Sequence, residues 1–235
     1  GEVLLYDMSR DVRRETVAFN EISDYAKAAT IAIEDKDFYK HNGFVLSSFI
    51  RAVLVNLTTL SFSQGGSTIT KQVVKNSILT KDKTPTRKLK ELILALKLEK
   101  VLTKEEILTL YLNEIPYGGT AYGIEEASER FFDKNAGELT LAESAYLAAL
   151  PKAPSYYSPH GSHRAELEAR KNLILSEMLK GEIITEEEHN TALAEDVVFQ
   201  ERKNEGNIKA PHFVFFVIDY LTKKYGEDSL QSNGY

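Results

Sequence analysis

The segment Thr140-Leu141-Ala142-Glu143 places a threonine three residues before a glutamate, directly ahead of an apolar run. In this capping-box pattern the two side chains satisfy backbone N–H groups in the first turn of a helix. The pattern recurs at Thr103-Lys104-Glu105-Glu106 and Thr185-Glu186-Glu187-Glu188, each ahead of apolar residues at helical spacing. Three helix starts of one kind predict a predominantly helical domain.

Further helices are predicted on either side of these starts. Ser23 is expected to cap a helix that runs towards Glu34, and Thr84-Pro85 to open an amphipathic helix up to Leu102. Glycines 181 and 226 are expected to end helices over 166–180 and 213–225. Strand signals are weak, with short extended pieces predicted only in 1–19 and 196–200.

The composition limits the kind of protein. The chain has 235 residues, of which 43% are hydrophobic and 27% charged, so it can form one large domain or two small lobes around a packed core. It contains no cysteine, which excludes disulfides, thiolate metal sites and a cysteine nucleophile. No apolar stretch approaches the ~20 residues of a membrane span, and no signal peptide is evident. The abrupt start at Gly1-Glu2 suggests a piece of a longer protein.

Charge is distributed unevenly along the chain. Residues 71–100 carry nine Lys or Arg against three acids, a net of +6 in a chain of net −6, so the remainder carries −12. This balance does not indicate a nucleic-acid binder, but the basic segment predicts a local anionic ligand. A solvated helix face is the more common explanation of such a run.

Residues 44–62 are strongly apolar, nearly all round the helix near 52–57. Such a helix is either buried in the core or inserted in a membrane interface. Arg51 and Asn56 make this segment unsuitable as a membrane-spanning helix. Periodicity alone favours a helix buried in the core over one in a membrane interface by about two to one.

The run Glu34-Asp35-Lys36-Asp37-Phe38-Tyr39-Lys40-His41-Asn42-Gly43 is the first candidate site. Phe38 and His41 share a face with Glu34 if the helix continues, and Gly43 permits a sharp exit. A carboxylate near an aromatic ring can have its pKa raised and act as a general acid or a general base. On its own, however, Glu34 is more often an ordinary surface acid, and His41 a structural hydrogen-bonding residue.

Two later segments could bind an anion. In Gln64-Gly65-Gly66-Ser67-Thr68-Ile69-Thr70-Lys71-Gln72, glycines before hydroxyl residues open a helix and expose N–H groups that suit pyrophosphate. A plain turn with a serine cap is the alternative. In Arg87-Lys88-Leu89-Lys90-Glu91 a second carboxylate lies between cations that could neutralise a phosphorylated leaving group, or the run is an exposed ion-pair lattice.

Other site classes have no support. The chain has no Ser-x-x-Lys or Lys-Thr-Gly of a penicillin-reactive site, and its five histidines lack ligand spacing. No metal site is predicted. The tyrosines around the glycine-rich loop 116–123 suit sugar stacking, or else Tyr111 belongs to the core.

Taken together and in this order, the segments resemble the family 51 peptidoglycan glycosyltransferases. Lys71 departs from the family pattern, where glutamine is often expected. The five matching blocks are Glu34-Asp35…Phe38…His41…Gly43, Gly65-Gly66-Ser67-Thr68-Ile69-Thr70…Gln72, Arg87-Lys88…Glu91, Ile107…Tyr111-Leu112-Asn113…Gly118…Gly123, and Leu139…Leu141-Ala142-Glu143…Leu147-Ala148…Leu150-Pro151…Pro154…Tyr157…Pro159.

The resemblance implies an all-α, two-lobed, lysozyme-like fold over residues 1–235. A large globular lobe is expected beside a small membrane-facing jaw at about 44–80, which reverses the core preference for that segment. Residues 205–235, with Ala210-Pro211-His212-Phe213-Val214, resemble the connection to the transpeptidase domain of class A penicillin-binding proteins. The anchor and that domain are therefore expected to be missing here.

The resemblance also implies a reaction. The enzyme would polymerise lipid II into β-1,4 glycan chains, with inversion at the donor carbon and release of undecaprenyl pyrophosphate. Glu34 matches the family's base and Glu91 its second essential acid, and Glu34 is expected to face the basic helix across a cleft. The implied substrate-binding residues are Asp35, Ser67, Thr68, Lys71, Gln72, Lys75, Arg87 and Lys88, and the structural ones are Phe38, His41, Gly43, Asn113 and Gly118.

Partners follow from the same resemblance. They are lipid II, the growing glycan and the outer face of the bacterial cytoplasmic membrane, with no nucleic acid. The inhibitor moenomycin is expected to bind near Glu34, Gln72 and Lys88. No tightly bound cofactor is expected; a divalent cation is allowed, but no dedicated site is seen. The alternatives are a lysozyme-like enzyme that cleaves peptidoglycan and a non-catalytic module that binds lipid-linked glycan.

Overall fold

The computed structural model describes residues 15–44, 67–78, 85–118 and 121–200, except the side chains of 77, 78 and 85–87. Within these ranges the regular secondary structure is helical apart from one small antiparallel sheet. The helices are α1 Asp24–Glu34, α2 Ile69–Val73, α3 Pro85–Val101, α4 Lys104–Glu114, α5 Ile124–Phe132, α6 Leu141–Ala149, α7 Arg164–Lys180 and α8 Glu186–Ala194, and the strands are β1 Pro116–Gly118 and β2 Ala121–Tyr122. Short 3-10 turns lie at Phe19–Glu21, Phe38–Lys40, Ala136–Glu138 and Leu150–Lys152, and a π turn at Val74–Ile78 continues α2.

The three predicted capping boxes are confirmed. The hydroxyls of Thr103, Thr140 and Thr185 accept hydrogen bonds from the N3 backbone N–H groups of α4, α6 and α8. The side chain of the glutamate at N3 in turn accepts the backbone N–H of the threonine. The helix over 166–180 is confirmed as α7, and α3 begins at Pro85 as predicted. These signals are local, so they need no tertiary context to be read.

Some local predictions were wrong. Ser23 stands before α1, but its hydroxyl donates to the carbonyl of Leu139 at 3.1 Å instead of capping the helix. Residues 196–200 form no strand. The β1–β2 hairpin lies instead in the glycine-rich loop, where no strand was predicted. The segment 1–14 and the predicted helix over 213–225 lie outside the described residues.

Helix α6 is at the centre of the packing. All nine of its residues are buried, and it contacts both α1 and α7. Alanines 142, 145 and 149 leave short side chains along it, which permits close approach of its neighbours. Helix α1 also contacts α7 directly, and the last residue of α1 lies beside the middle of α7.

Helix α2 packs on α4 and α3, separately from this trio. The apolar residues Ile69, Val73 and Val74 anchor it because their side chains are buried. Its polar positions, Lys71 and Gln72, are thereby left to face the end of α1 and the start of α3. Within the described ranges, no helix combines the length and apolar character needed to cross a bilayer.

Candidate active site

Glu34 is the last residue of α1, and the helix does not continue beyond it. Asp35 leaves helical geometry, with φ −161° and ψ 70°, and the chain turns into the 3-10 segment Phe38–Lys40. The predicted helix running towards Glu34 is thereby confirmed, and the face that Phe38 and His41 would share with Glu34 on a continuing helix does not form. The cause is the Asp35 carboxylate, which bonds elsewhere and competes with helical geometry.

Two other helices contribute groups to the Glu34 carboxylate. The side-chain amide of Gln72 on α2 donates to Glu34 Oε2 at 2.7 Å, and Arg170 Nη2 on α7 lies 3.8 Å from Oε1. The Glu34 side chain is 15% exposed. Arg170 is itself fixed, because its Nε donates to the Ala149 carbonyl at 3.1 Å. The carboxylate is thus oriented yet still reachable from solvent.

Two tyrosines line the buried side of Glu34. Burial and then the nearby Glu34 charge raise the pKa of both Tyr111 and Tyr117, so both are neutral phenols at physiological pH. Among the described residues, the buried Tyr111 hydroxyl has no hydrogen-bond partner. Such a group is uncommon in a protein interior and suits a site that takes up a polar ligand.

The Asp35 carboxylate joins the end of α1 to the start of α2. Its Oδ1 lies 2.8 Å from His41 Nε2, and its Oδ2 accepts the Ile69 N–H at 3.0 Å. The Gly43 N–H donates to His41 Nδ1 at 3.1 Å. Because Nδ1 accepts, a neutral His41 carries its proton on Nε2 and donates it to Asp35.

Thr68 completes this connection from the other side. Its hydroxyl donates to the Gly43 carbonyl at 2.8 Å and accepts the Lys71 N–H at 3.3 Å as the cap of α2. The cap is therefore Thr68, whereas Ser67, half-buried, directly precedes it. Gly43 has φ +74°, and a Cβ there would lie 3.0 Å from Glu99 Cγ, so this turn requires glycine.

A basic cluster adjoins this connection. Lys88 Nζ lies 2.6 Å from Glu91 Oε2; the lysine side chain is 75% exposed and the glutamate 4%. Burial and then repulsion from Lys88 lower the pKa of Lys71, while Glu91 and Asp35 oppose the shift. Lys71 also lies over the Phe44 ring, with Nζ 4.7 Å from the centroid. Two adjacent residues of α2 thus lie in different parts of the site. Gln72 contacts Glu34, and Lys71 belongs to the basic cluster.

The remaining predicted residues are more dispersed. Lys75 is exposed on the π turn, and Arg87 lies in α3 with its side chain outside the described residues. Phe38 is fully buried, with Lys104 Nζ 4.4 Å above its ring. Gly118 ends β1 at φ +119°.

Asn113 braces the segment before α1. Its side-chain oxygen accepts the Val17 N–H at 3.0 Å, and its Nδ2 donates to the carbonyls of Val17 and Thr109 at 3.0 Å each. These contacts account for the amide's polar groups within the protein.

Arg170 was missed by the sequence reasoning. It occupies the apolar stripe of α7 between Leu167 and Ile174, both fully buried. A charged residue in such a stripe is a usable signal, because buried charges require partners. Within the described residues, no three His, Asp or Glu side chains converge as metal ligands.

Comparison with known proteins identifies the class. A family model described as "Transglycosylase" matches residues 2–179. Penicillin-binding protein 1A of Neisseria meningitidis serogroup A is 41% identical over 230 residues, covering 97% of this chain and 28% of that protein. Penicillin-binding protein 1A of Aquifex aeolicus is 40% identical over 216 residues, covering 92% and 29%. The crystal structure of penicillin-binding protein 1A from Haemophilus influenzae aligns with a TM-score of 0.55 and 25% identity, over 93% of this chain and 22% of that one.

The chain belongs to the transglycosylase family. The relatives named here are penicillin-binding proteins 1A, and the chain spans less than a third of their length. The family prediction, the all-α lysozyme-like fold and the enzyme class of peptidoglycan glycosyltransferase are confirmed. Most of the predicted jaw at 44–80 lies outside the described residues.

Proposed function

We propose that the chain polymerises lipid II into β-1,4 glycan chains, inverting the donor anomeric carbon and releasing undecaprenyl pyrophosphate. One observation carries the proposal: Gln72 holds the Glu34 carboxylate while its neighbour Lys71 belongs to the basic cluster with Lys88 and Glu91. A proton acceptor and a binding region for an anionic leaving group are therefore joined through one turn of helix.

Glu34 is the general base in this proposal. It takes the proton of the acceptor 4-hydroxyl as that oxygen forms a bond to the donor anomeric carbon, and the bond from this carbon to the pyrophosphate oxygen breaks. Attack from the opposite face converts the α-linked donor into a β-1,4 link. Gln72 and Arg170 keep the carboxylate oriented for the transfer, because each approaches a different oxygen.

Cations take the place of a general acid at the leaving group. A pyrophosphate needs charge stabilisation more than protonation, and Lys71, Lys75, Arg87 and Lys88 are the groups we assign to it. The buried Glu91 orients Lys88 through their 2.6 Å contact and acts electrostatically on Lys71. Ser67 would contact the substrate directly.

Asp35 and Thr68 act by positioning. Both Asp35 oxygens already have partners, and the Thr68 hydroxyl both donates and accepts within the protein. Their contribution to substrate binding is to fix α2 against the end of α1, which brings Gln72 to Glu34. His41 and Gly43 belong to the same connection.

The setting follows the family resemblance. We infer that the enzyme works at the outer face of the bacterial cytoplasmic membrane, with the jaw at 44–80 against the lipid. We also infer that residues 205–235 lead to a transpeptidase domain in the full-length protein. Moenomycin is expected to bind near Glu34, Gln72 and Lys88. No tightly bound cofactor is proposed.

The direct test is polymerisation of purified lipid II by this chain and by Glu34→Gln. Loss of a general base lowers the rate by about 100-fold to 10,000-fold. Glu187→Gln, which changes an exposed glutamate on α8, is the matched control and should polymerise normally. Normal glycan formation by Glu34→Gln would refute the mechanism.

A second assay addresses the cleaving alternative. Wild-type chain is incubated with polymeric peptidoglycan in the absence of lipid II. Release of soluble glycan fragments would indicate a lysozyme-like enzyme, and their absence together with lipid II polymerisation would support the proposal.

A further inference from the structure

A series of contacts leads from the candidate base to an exposed pair of rings. The Arg170 guanidinium, beside Glu34, lies 5.6 Å from the centre of the Tyr157 ring. Tyr157 meets Tyr156 edge to face at 5.1 Å, and Tyr156 stacks on His163 with centroids 3.9 Å apart and planes at 27°. We call Tyr156 and His163 the aromatic platform. It is continuous with the candidate active site.

The aromatic platform is held by a well-anchored loop. Residues 150–163 connect α6 to α7, and the Pro154 carbonyl lies 3.2 Å from where a Cβ on Gly118 would stand. Arg164 Nη1 donates to the Pro159 carbonyl at 3.4 Å, and Pro159 is buried. The platform therefore has a fixed position relative to the site.

The aromatic platform is also open to solvent. The Tyr156 side chain is 42% exposed although its ring is stacked, so one face or edge remains available. The surrounding residues Ser155, Ser162 and Glu166 are exposed and polar, and Ser162 Oγ lies 3.3 Å from His163 Nδ1. A flat apolar ring with polar neighbours matches a sugar, which has an apolar face and hydroxyls at its edge. A lipid chain would instead require a wider apolar surface.

The spacing also fits a polymer. His163 directly precedes α7 and lies seven residues before Arg170, which is about 10 Å at 1.5 Å per residue. A single sugar at Glu34 cannot cover that span, whereas a strand of a few linked hexose rings can.

We propose that Tyr156 and His163 form a subsite for the glycan strand, stacking a hexosamine ring of a β-1,4-linked N-acetylated chain that extends from the catalytic position. This inference rests on the proposed function, because that function supplies a glycan as the ligand. The subsite would retain the strand between successive additions and so increase product length.

The binding test uses a hexamer of N-acetylglucosamine as the probe. Loss of an aromatic contact corresponds to an affinity about threefold to tenfold lower, so Tyr156→Ala should show this loss and Tyr156→Phe should not. Tyr25→Ala, which removes a tyrosine of similar exposure at the far end of α1, is the control. Binding of the hexamer should also shift the NMR signals of the Tyr156 and His163 rings. Equal affinity of Tyr156→Ala and wild type would overturn the subsite.

The second test measures glycan length from lipid II. Tyr156→Ala is expected to make glycan chains that are shorter than those of wild type. Tyr25→Ala is expected to make chains of wild-type length. If Tyr156→Ala makes chains of normal length while Glu34→Gln is inactive, the subsite fails and the proposed function stands. If wild-type chain does not polymerise lipid II at all, the proposed function fails instead.

Discussion

The side-chain amide of Gln72 donates a 2.7 Å hydrogen bond to Oε2 of Glu34 and thereby joins α2 to the end of α1. The two residues belong to different packing groups, since α1 rests on α6 and α7 and α2 rests on α3 and α4. The orientation of the proposed base therefore depends on how these groups are held together. The contacts of Asp35, His41, Gly43 and Thr68 supply that connection.

Gln72→Ala should lower kcat for lipid II polymerisation by about 10-fold to 100-fold, the value of a hydrogen bond to a charged group. Gln72→Glu should behave differently, because a second carboxylate favours the protonated form of the pair. The acidic limb of its pH–rate profile should then lie at higher pH than in wild type. An unchanged profile in Gln72→Glu would show that the 2.7 Å contact does not govern the base.

The part of this site that could be read from sequence is the local part. Lys88 and Glu91 are three residues apart on one helix, and each capping box spans four residues. Local sequence patterns are therefore sufficient to predict these contacts. Arg170 and Glu34 lie far apart in the sequence, and no helical pattern relates them. Only the packing of α1 on α7 brings them together.

Competition for hydrogen bonds explains where α1 ends and how its start is capped. The sequence predicts a helix that runs towards Glu34, and the Asp35 carboxylate gains the Ile69 N–H and the His41 ring when the helix stops there. Ile69 is 34 positions away from Asp35 and invisible to a local pattern. Ser23 does not cap the start of α1 as predicted, because its hydroxyl donates instead to the distant Leu139 carbonyl.

The His41 ring provides a spectroscopic prediction. With Gly43 donating to Nδ1, the neutral ring should be the Nε2–H tautomer, which nitrogen-15 NMR distinguishes directly. Asp35→Asn should weaken this preference and lower the free energy of unfolding by about 1.5–3 kcal/mol, since it replaces a charged acceptor. His163, outside this network, serves as the internal reference and should not respond. An Nδ1–H tautomer of His41 would contradict the connection described above.

Gly43→Ala tests the turn that carries this connection. An L-residue at φ +74° costs about 1–2 kcal/mol, and the added Cβ meets Glu99, which Lys104 holds at 2.8 Å. We expect unfolding at lower urea concentration and a drop in kcat, because α2 is no longer seated against α1. Thr68→Val should reproduce the drop in kcat without the backbone strain. Full activity in both variants would mean that the connection does not position Gln72.

Glu91→Gln probes coupling within the basic cluster. Glu91 contacts Lys88 and offsets the lowered pKa of Lys71, so its loss leaves two repelling amines. Activity on lipid II should be strongly impaired. A double-mutant cycle with Lys71→Gln should show a coupling free energy of about 0.5–3 kcal/mol in kcat/KM, as for residues in one network. If the effects of the two substitutions on kcat/KM were additive, Glu91 would not act through Lys71.

Lys71 makes the stability of the protein depend on pH in a defined direction. Burial and the Lys88 charge lower its pKa in the folded state below the ordinary value of 10.5, so at neutral pH the charged amine costs stability. The folded state releases this proton at lower pH than the unfolded chain, and stability therefore rises as pH increases through the window between the two values. Lys71→Gln should accordingly be more stable than wild type at pH 7, by a margin that narrows towards pH 10.5.

Ligand binding should show the opposite trend. A bound pyrophosphate favours the charged amine, so wild-type affinity for farnesyl pyrophosphate should fall as pH rises through the lowered pKa of Lys71. Lys71→Gln should bind more weakly at neutral pH and lack this component of the pH dependence. Lys97→Gln, which removes an exposed lysine on α3, controls for net charge and should keep the wild-type profile. If Lys71→Gln and Lys97→Gln gave the same profile, pyrophosphate would not be bound at Lys71.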